Sequence, residues 1–279
     1  MARVLLAAQV AAAGPVRVRD LISGPLRPVA VLGRFPTALY LRLANSDVIA
    51  LLSSDAVRLP IGLILPTSSR EFPLTYLSGP VAVGSGAVYI GSWSCRVSRL
   101  VSLRAPVALT PDRHVCERLR HRLAHCDSAD LDLRLPDALL DDAHSPDGAA
   151  DLVRRLLGVG PGLTPAGDDV LAGLLVGLWS FGQRAEPLRL AVLAGLAAGT
   201  TDLSAALLRC AARGESIPQV NQLLRTMSGS AWQGRLDHAM YDLVRVGHTS
   251  GTALATGVLA ADTMASQGSR KIAVSHSPF

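Results

Sequence analysis

The sequence predicts an α+β protein, in which a β-rich N-terminal region with a barrel- or sandwich-like antiparallel sheet precedes a C-terminal helical bundle built around a buried central helix. Two observations predict this class. Near Pro111 the apolar residues change from short runs to the spacing of amphipathic helices, and the helix that begins after Asp168 is apolar on every side. The 279 residues, 49% of them hydrophobic, supply enough apolar surface for substantial cores. We predict a β-rich domain over residues 1–110 and a helical domain over residues 111–279.

The strands of the first domain are predicted from five short segments that carry β-branched or aromatic residues. Glycine, proline, asparagine or serine bounds the segments, and no helical period separates them, which favours an antiparallel sheet. Gly84-Ser85-Gly86 is predicted to be a plain turn. The five segments are residues 28–32, 37–43, 47–52, 61–65 and 87–91.

The helices of the second domain are predicted from apolar residues three and four positions apart. The central helix carries Gly173 and Gly177 one turn apart, so we expect close neighbours against its glycine side. Residues 127–145 are acidic and contain prolines, which indicates a connection, and the tail from Gln267 is expected to fray. One helix has its apolar face at Val115, Leu119, Leu123 and Cys126, and the others lie near residues 148–157, 168–182, 187–198, 202–213, 217–228, 232–246 and 250–265.

The composition argues against nucleic acid as a partner, although the formal charge is +5. Lys271 is the only lysine, the arginines are scattered rather than clustered, and aromatic residues make up only 4% of the chain. A nucleic-acid interface needs a basic patch and, for single strands, rings on which bases stack. The excess positive charge therefore indicates a modest preference for anions.

Neither a membrane nor a metal bound by cysteine or histidine is predicted as a partner. The longest wholly apolar stretch, near residues 170–179, is well short of the ~20 residues that a bilayer needs, and the N-terminus makes a poor secretory signal. The cysteines form no CxxC pair, which indicates buried thiols in a reducing compartment, and we predict a cytoplasmic protein. A histidine stripe beside an apolar helix face is predicted to be solvated rather than metal-binding. The cysteines are Cys95, Cys116, Cys126 and Cys210, and the histidines are His114, His121 and His125.

The segment with the most chemical information is Gly158-Val-Gly-Pro-Gly-Leu-Thr-Pro-Ala-Gly-Asp-Asp169. Its first three glycines permit positive φ and a close approach of backbone to ligand. The segment ends where a helix exposes its first N–H groups and the positive end of its dipole, an arrangement suited to an anion.

Two further helix starts have the same chemistry. Gly199-Thr-Thr-Asp-Leu-Ser204 interrupts a long helical pattern, and Gly247-His-Thr-Ser-Gly-Thr252 precedes the last helix. Each alone is explained by helix capping, because threonine, serine and aspartate are good N-caps. Three such starts in one bundle favour a shared site.

Other interpretations of these residues fit less well. Gly162-Leu-Thr-Pro-Ala-Gly167 has the glycine spacing of a Walker A loop, but aspartates stand where lysine and serine or threonine should follow. Asp168 and Asp169 complement the helix dipole, accept hydrogen bonds from a substrate amide, or hold Mg²⁺ against a phosphate. A triad of Ser250 or Ser204 with His248 is weaker, since no G-x-S-x-G elbow is present.

The three segments together resemble the AllH-like family, a former domain of unknown function whose best-known members are a subunit of oxamate carbamoyltransferase in allantoin catabolism. The resemblance rests on Gly160-Pro-Gly-Leu-Thr-Pro-Ala-Gly-Asp-Asp169, Thr200-Thr-Asp-Leu-Ser204 and Gly247-His-Thr-Ser-Gly251, in that order. It extends from about Val18 to Ala265. Ala166 stands where serine is common in the family, which leaves the identity of the substrate open.

The resemblance implies carbamoyl transfer between oxalurate and phosphate, which gives oxamate and carbamoyl phosphate, with companion subunits; an oligomer is compatible with the sequence, which leaves the oligomeric state open. Backbone N–H groups and hydroxyls would hold phosphate or carboxylate oxygens, Asp168 and Asp169 would orient the amide, and His248 would stabilise an oxyanion or move a proton. No cofactor beyond the Mg²⁺ alternative is implied. The alternative function is a non-catalytic subunit that binds a small anion and regulates or completes a complex. The binding residues carried over are Gly160, Gly162, Thr164, Gly167, Thr200, Thr201, Ser204, Thr249, Ser250 and Gly251.

Overall fold

The computed structural model describes residues 9–125, 135–183, 185–229 and 233–275. The chain divides into two compact units, Met1–Leu103 and Arg104–Phe279. The first is β-rich and the second is helical, so the predicted α+β class is confirmed. Cys126 and residues 127–134 of the predicted 127–145 connection lie outside the described residues, and Asp137–Asp142 within the rest of it is a short helix.

The first unit contains a nine-stranded sheet in the order β2-β7-β8-β9-β1-β6-β5-β4-β3. Most neighbouring strands are antiparallel, but β1 pairs with β9 and β5 pairs with β6 in parallel. Gly84, Ser85 and Gly86 form the turn between β7 and β8, as predicted. The elements are β1 (Gln9–Gly14), α1 (Val16–Leu21), β2 (Arg27–Pro28), β3 (Ala30–Arg34), β4 (Ala38–Arg42), β5 (Val48–Leu52), β6 (Gly62–Ile64), β7 (Val81–Gly84), β8 (Ala87–Ile90) and β9 (Trp93–Leu100), with a 3-10 turn at Leu74–Tyr76.

The core of this unit consists of apolar side chains from the central strands and from the segments that cross the sheet. Every residue of β5 is buried, as a strand covered on both faces requires. Trp93 at the start of β9 is 1% exposed, and Cys95 lies in the same core, where burial raises the pKa of its thiol to about 12. Cys95 is therefore an inert packing residue.

The second unit contains the predicted helices with small shifts at their ends. Two helices were not predicted, α1 in the first unit and α3 in the second, because each has only six residues and too few turns for a period to register. The last helix continues to Ser275, so residues 267–275 of the tail that was expected to fray are helical. The helices are α2 (Arg113–Ala124), α3 (Asp137–Asp142), α4 (Pro146–Leu156), α5 (Ala166–Ser180), α6 (Glu186–Gly199), α7 (Asp202–Ala211), α8 (Pro218–Met227), α9 (Gln233–Val244) and α10 (Ser250–Ser275).

Helix α5 is the central helix that the sequence predicts. All of its residues except Ala172 and Trp179 are buried. A Cβ atom added at Gly173 would overlap the Leu254 carbonyl, and one added at Gly257 would overlap the Val170 carbonyl, so the backbones of α5 and α10 are in direct contact. This contact places the N-terminal turns of the two helices close together. None of the helices in the described part of the chain has the length and hydropathy that crossing a bilayer requires.

Candidate anion-binding site

The segment between α4 and α5, residues 157–165, contains three glycines with positive φ and is called the glycine segment. Gly158, Gly160 and Gly162 have φ of 76°, 115° and 95°. A Cβ atom at Gly158 would overlap the carbonyl of Gly199, so this position also needs glycine for a close approach to the end of α6. A Cβ atom at Gly162 would meet no atom within 4 Å, so the left-handed conformation alone favours glycine there.

Asp168, in the first turn of α5, joins all the elements around the segment. It is 1% exposed, and its Oδ1 accepts a hydrogen bond from the backbone N–H of Gly158 at 2.7 Å. Its Oδ2 accepts one from the hydroxyl of Ser204 at 2.6 Å and another from the hydroxyl of Thr200. Burying a carboxylate is costly unless its oxygens accept hydrogen bonds of this kind. Asp168 therefore holds the glycine segment, α5 and the start of α7 together.

Asp169, the next residue, has a different environment. It is 8% exposed, and its Oδ2 has no hydrogen-bond partner. Burial is the main cause that raises the pKa of its carboxyl to about 7, a net value that includes the opposing effect of a hydrogen bond from Ser250 and a smaller upward effect of the charge of Asp168. Near neutral pH, Asp169 is therefore a buried carboxyl that gains or loses a proton readily.

Two further hydrogen bonds connect the helix starts. The hydroxyls of Thr164 and Ser250 lie 3.3 Å apart, and the Thr201 hydroxyl donates to the Leu163 carbonyl at 2.6 Å. The Ser250 hydroxyl also pairs with the Asp169 carboxyl, so it lies between Thr164 and Asp169. Thr164, Ser250 and Asp169 thus form a chain of hydrogen bonds from the glycine segment into the protein.

The first turns of α5, α7 and α10 therefore meet around residues 157–165. Asp168 and Asp169 belong to α5, Thr201 caps α7 by accepting from Ser204 N–H at 3.0 Å, and Ser250 begins α10. Each helix start contributes a partial positive charge of roughly half a unit. Such a meeting point is favourable for a negatively charged group.

Two predicted binding glycines, Gly167 and Gly251, have packing roles in the structure, and their binding role stays a prediction. The N–H of Gly167 donates to Val159 O at 2.9 Å, and the N–H of Gly251 donates to Val246 O at 3.0 Å. A Cβ atom at either position would overlap a carbonyl of the preceding helix. These two N–H groups are therefore not available to a ligand, and both glycines let neighbouring chain segments approach.

The structure places His248 and Thr249 in the exposed turn that leads into α10. Their neighbour Ser250 is partly buried in the hydrogen-bonded chain, but no bond joins the His248 ring to an aspartate in the described residues. The catalytic roles predicted for His248 and Asp168 stay predictions. For Asp168, the three hydrogen bonds already explain the residue structurally.

A Mg²⁺ ion held by both aspartates fits this arrangement poorly. Mg²⁺ needs a near-octahedral set of oxygens. Both oxygens of Asp168 already accept hydrogen bonds, and no cluster of three or more histidine, cysteine or acidic residues with metal-binding geometry occurs in the described part of the chain. The alternative, in which the aspartates accept hydrogen bonds from a substrate amide, needs no octahedral set of oxygens.

The contributions of Gly158 and Leu163 were not predicted, because the Gly158 N–H and the Leu163 carbonyl are backbone groups and leave no side-chain signal in the sequence. The signal for Gly158 was its place in the glycine series, which suggested flexibility but not the partner Asp168. The signal for Gly257, which completes the close contact of α5 and α10, was a run of small residues in α10.

Residues 156–262 match the family described as oxamate carbamoyltransferase subunit AllH. The predicted resemblance is therefore confirmed over this region, which contains the glycine segment and the starts of α5, α7 and α10. The chain is similar to a subunit of a carbamoyltransferase. No solved structure matches the chain.

The unusual environment of Asp169 predicts a pH-dependent cost in stability. Its carboxyl has a pKa of about 7 in the folded protein and the ordinary value of 3.8 when unfolded. At pH values between these two pKa values, the folded state binds more protons than the unfolded state. The free energy of unfolding therefore falls as the pH rises from about 4 to 7 and then levels off. Replacing Asp169 by asparagine removes this dependence, and we expect D169N to gain a few kcal/mol relative to the wild type, on the order of 2–4, between pH 5 and pH 8.

Urea unfolding of the wild type and D169N at pH 5 and pH 8 measures the difference between their free energies of unfolding. The effects of the other titrating groups, which the two proteins share, cancel in this difference. A difference between D169N and wild type that is the same at both pH values would contradict the assigned burial of Asp169.

Proposed function

We propose that this chain is a carbamoyltransferase subunit whose glycine segment and three helix starts bind a small anionic amide of the oxalurate, oxamate or carbamoyl phosphate type. The observation that carries the proposal is Asp169, a buried carboxyl with one unpartnered oxygen among three helix N-termini. At neutral pH such a group lowers stability, and residues that do so are typical of functional sites. The family match over residues 156–262 supports carbamoyl transfer as the reaction class.

The anionic part of the ligand is assigned to the helix starts. Phosphate or carboxylate oxygens accept hydrogen bonds from N–H groups at the helix starts and from the hydroxyls of Thr164, Thr201 and Ser250, each of which exchanges its present protein partner for the ligand. Gly160 and Gly162 keep the segment free of side chains on the ligand side. The positive ends of the helix dipoles supply the attraction that would otherwise require lysine or arginine.

The carbamoyl group is assigned to Asp169. In the proposed direction, a phosphate oxygen forms a bond to the carbamoyl carbon of oxalurate, and the bond from that carbon to the oxamate nitrogen breaks. The departing nitrogen takes up a proton, and the attacking hydrogen phosphate loses one. A carboxyl with a pKa of about 7 can both accept and return this proton, with Ser250 and Thr164 as the hydroxyls that connect it to the ligand.

His248 is proposed to approach the ligand from the exposed turn before α10, where its ring would stabilise the negative oxygen of the tetrahedral intermediate. Thr200 and Ser204 act through Asp168, to which both donate, and so position the glycine segment. Companion subunits are proposed to complete the enzyme.

A non-catalytic anion-binding subunit is the second candidate. The exposure of His248 and the engagement of both Asp168 oxygens favour it, because a catalytic site usually holds its acid and base firmly against the substrate. In that case the same helix starts bind the anion, and the chemistry belongs to a companion subunit.

Calorimetric titration of oxamate, carbamoyl phosphate and inorganic phosphate into the full chain tests the shared site. The variants Thr164→Val, Thr201→Val and Ser250→Ala each remove one hydroxyl from a different segment. We expect each to weaken binding of the same ligand by ~10-fold, the effect of one lost hydrogen bond to a charged group.

The matched control is Ser228→Ala, which removes a serine hydroxyl that donates to Leu224 O at 3.3 Å at the end of α8, outside the three segments. It is expected to bind as the wild type does. If only one of the three segment variants changes affinity, the segments do not form one site.

A further inference from the structure

The helical unit contains a cavity at the opposite end of α5 from the glycine segment. Its volume is about 610 Å³, within the range of roughly 300–1,000 Å³ that small-ligand sites occupy. It lies beside Leu178 and Trp179 near the C-terminus of α5. Ten residues of helix, about 15 Å, separate Trp179 from Asp169, so the cavity is distinct from the site described above.

The floor of this cavity is apolar. Leu175 is 6% exposed, Leu178 is 2% exposed and Ala211 is 3% exposed, and all three line it. Trp179 also lines the cavity and is 37% exposed, an unusual exposure in a helix whose other residues are almost all buried. An apolar body that covers the indole and the leucines would remove this surface from water.

The rim of the cavity is basic. Arg104, Arg189 and Arg213 come from three different parts of the unit, and Glu186 is the acidic residue that lines it, so these side chains carry a formal charge of +2. The Arg104 guanidinium lies over the Trp179 ring, 5.8 Å from its centroid. A negatively charged group is therefore favoured at the rim.

The existing contacts of Arg189 and Arg213 leave capacity for a ligand. Arg189 pairs with Glu186 one turn away on the surface of α6, and exposed pairs of this kind contribute little to stability. Arg213 lies 3.6 Å from the nearest Glu215 oxygen and donates to Cys210 Sγ at 3.3 Å. Each guanidinium has five N–H donors, and these contacts use only part of them.

We propose that this cavity binds an organic anion with an apolar ring, such as an aromatic carboxylate, sulfonate or phosphate. The ring lies against Leu178 and Trp179, and the anionic group binds Arg189 and Arg213. The proposal does not depend on carbamoyl transfer, because none of these residues belongs to the glycine segment or to the three helix starts.

The probe for this site is anilinonaphthalene sulfonate, which combines an aromatic body with an anionic group and fluoresces when bound. We expect the full chain to bind it saturably at one site, with energy transfer from Trp179. Arg189→Gln and Arg213→Gln should each weaken binding by ~10-fold or more, since each removes charge-assisted hydrogen bonds. Trp179→Phe should remove most of the energy transfer without abolishing binding.

Arg122→Gln is the matched control, because Arg122 is an exposed arginine on α2 that pairs with Asp237 at 2.7 Å and is outside the cavity. Circular dichroism confirms folding of each variant, and Arg189→Lys, which keeps the charge, should bind more tightly than Arg189→Gln. Probe binding that is non-saturable, unaffected by Arg189→Gln, or weakened equally by Arg122→Gln would overturn the proposal.

Discussion

Replacing Asp168 by alanine is expected to destabilise the helical unit by on the order of 4 kcal/mol. The variant leaves the N–H of Gly158 and the hydroxyls of Thr200 and Ser204 without the acceptor that the wild type provides. Because Asp168 is 1% exposed, water cannot replace the carboxylate without opening the packing around it. The loss should appear as an earlier unfolding transition by circular dichroism in urea.

Asp168→Asn is expected to lie between alanine and wild type. The amide keeps one oxygen that accepts hydrogen bonds, but its NH2 group faces a donor, so part of the network is lost. Asp151→Ala is the control: this carboxylate pairs with Arg154 and Arg155 on the surface of α4, and the variant should unfold with nearly the wild-type midpoint. An Asp168→Ala variant as stable as Asp151→Ala would show that the buried network does not hold the glycine segment.

Some features of this site could be predicted from the sequence, and others could not. The starts of α7 at Asp202 and α10 at Ser250 were predicted to the residue, because local capping chemistry fixes where a helix begins. The same local chemistry identified the glycine segment. The partners of Asp168 were not predicted, because they lie 10 to 36 residues away and depend on how the helices pack.

The contrast between the two aspartates is a second feature that the sequence does not contain. Asp168 and Asp169 are adjacent and were assigned one role, yet one accepts three hydrogen bonds and the other retains an unpartnered oxygen. Successive helical residues point about 100° apart, so they face different neighbours. Only the positions of α7 and α10 decide which aspartate becomes structural.

The β-rich unit was predicted in class but not in pairing. Five of its strands have the apolar and β-branched pattern, whereas β1 is largely alanine and glycine and carries no strand signal. The parallel pairing of β1 with β9 joins residues more than 80 positions apart, a choice set by the packing of the whole sheet. Local sequence therefore identifies strands there but not their neighbours.

Replacing Asp169 by asparagine is expected to have the largest effect on carbamoyl transfer. Asparagine has nearly the same shape and can still interact with an amide, but it cannot accept or return a proton. We expect kcat to fall by ~100-fold or more, the usual contribution of a general acid or base, while the affinity for oxamate changes by less than ~10-fold. The assay uses the complex that copurifies with the tagged full chain, because companion subunits are part of the proposal.

Asp237→Asn is the control for this substitution, since Asp237 is an exposed carboxylate that pairs with Arg122. It removes one negative charge without touching the three helix starts, and kcat should stay at the wild-type value. The folded state of D169N is checked by its unfolding transition, which is expected to shift upward above pH 7 as the cost of the buried charge disappears.

The pH profile of kcat in the wild type and in D169N is the measurement that tests this account most directly. The wild type should show an ionisation near pH 7 that comes from Asp169, and D169N should lose both that ionisation and most of the turnover while still binding oxamate. A D169N variant that turns over at the wild-type rate with an unchanged pH profile would contradict the account, and would assign this chain to anion binding rather than to catalysis.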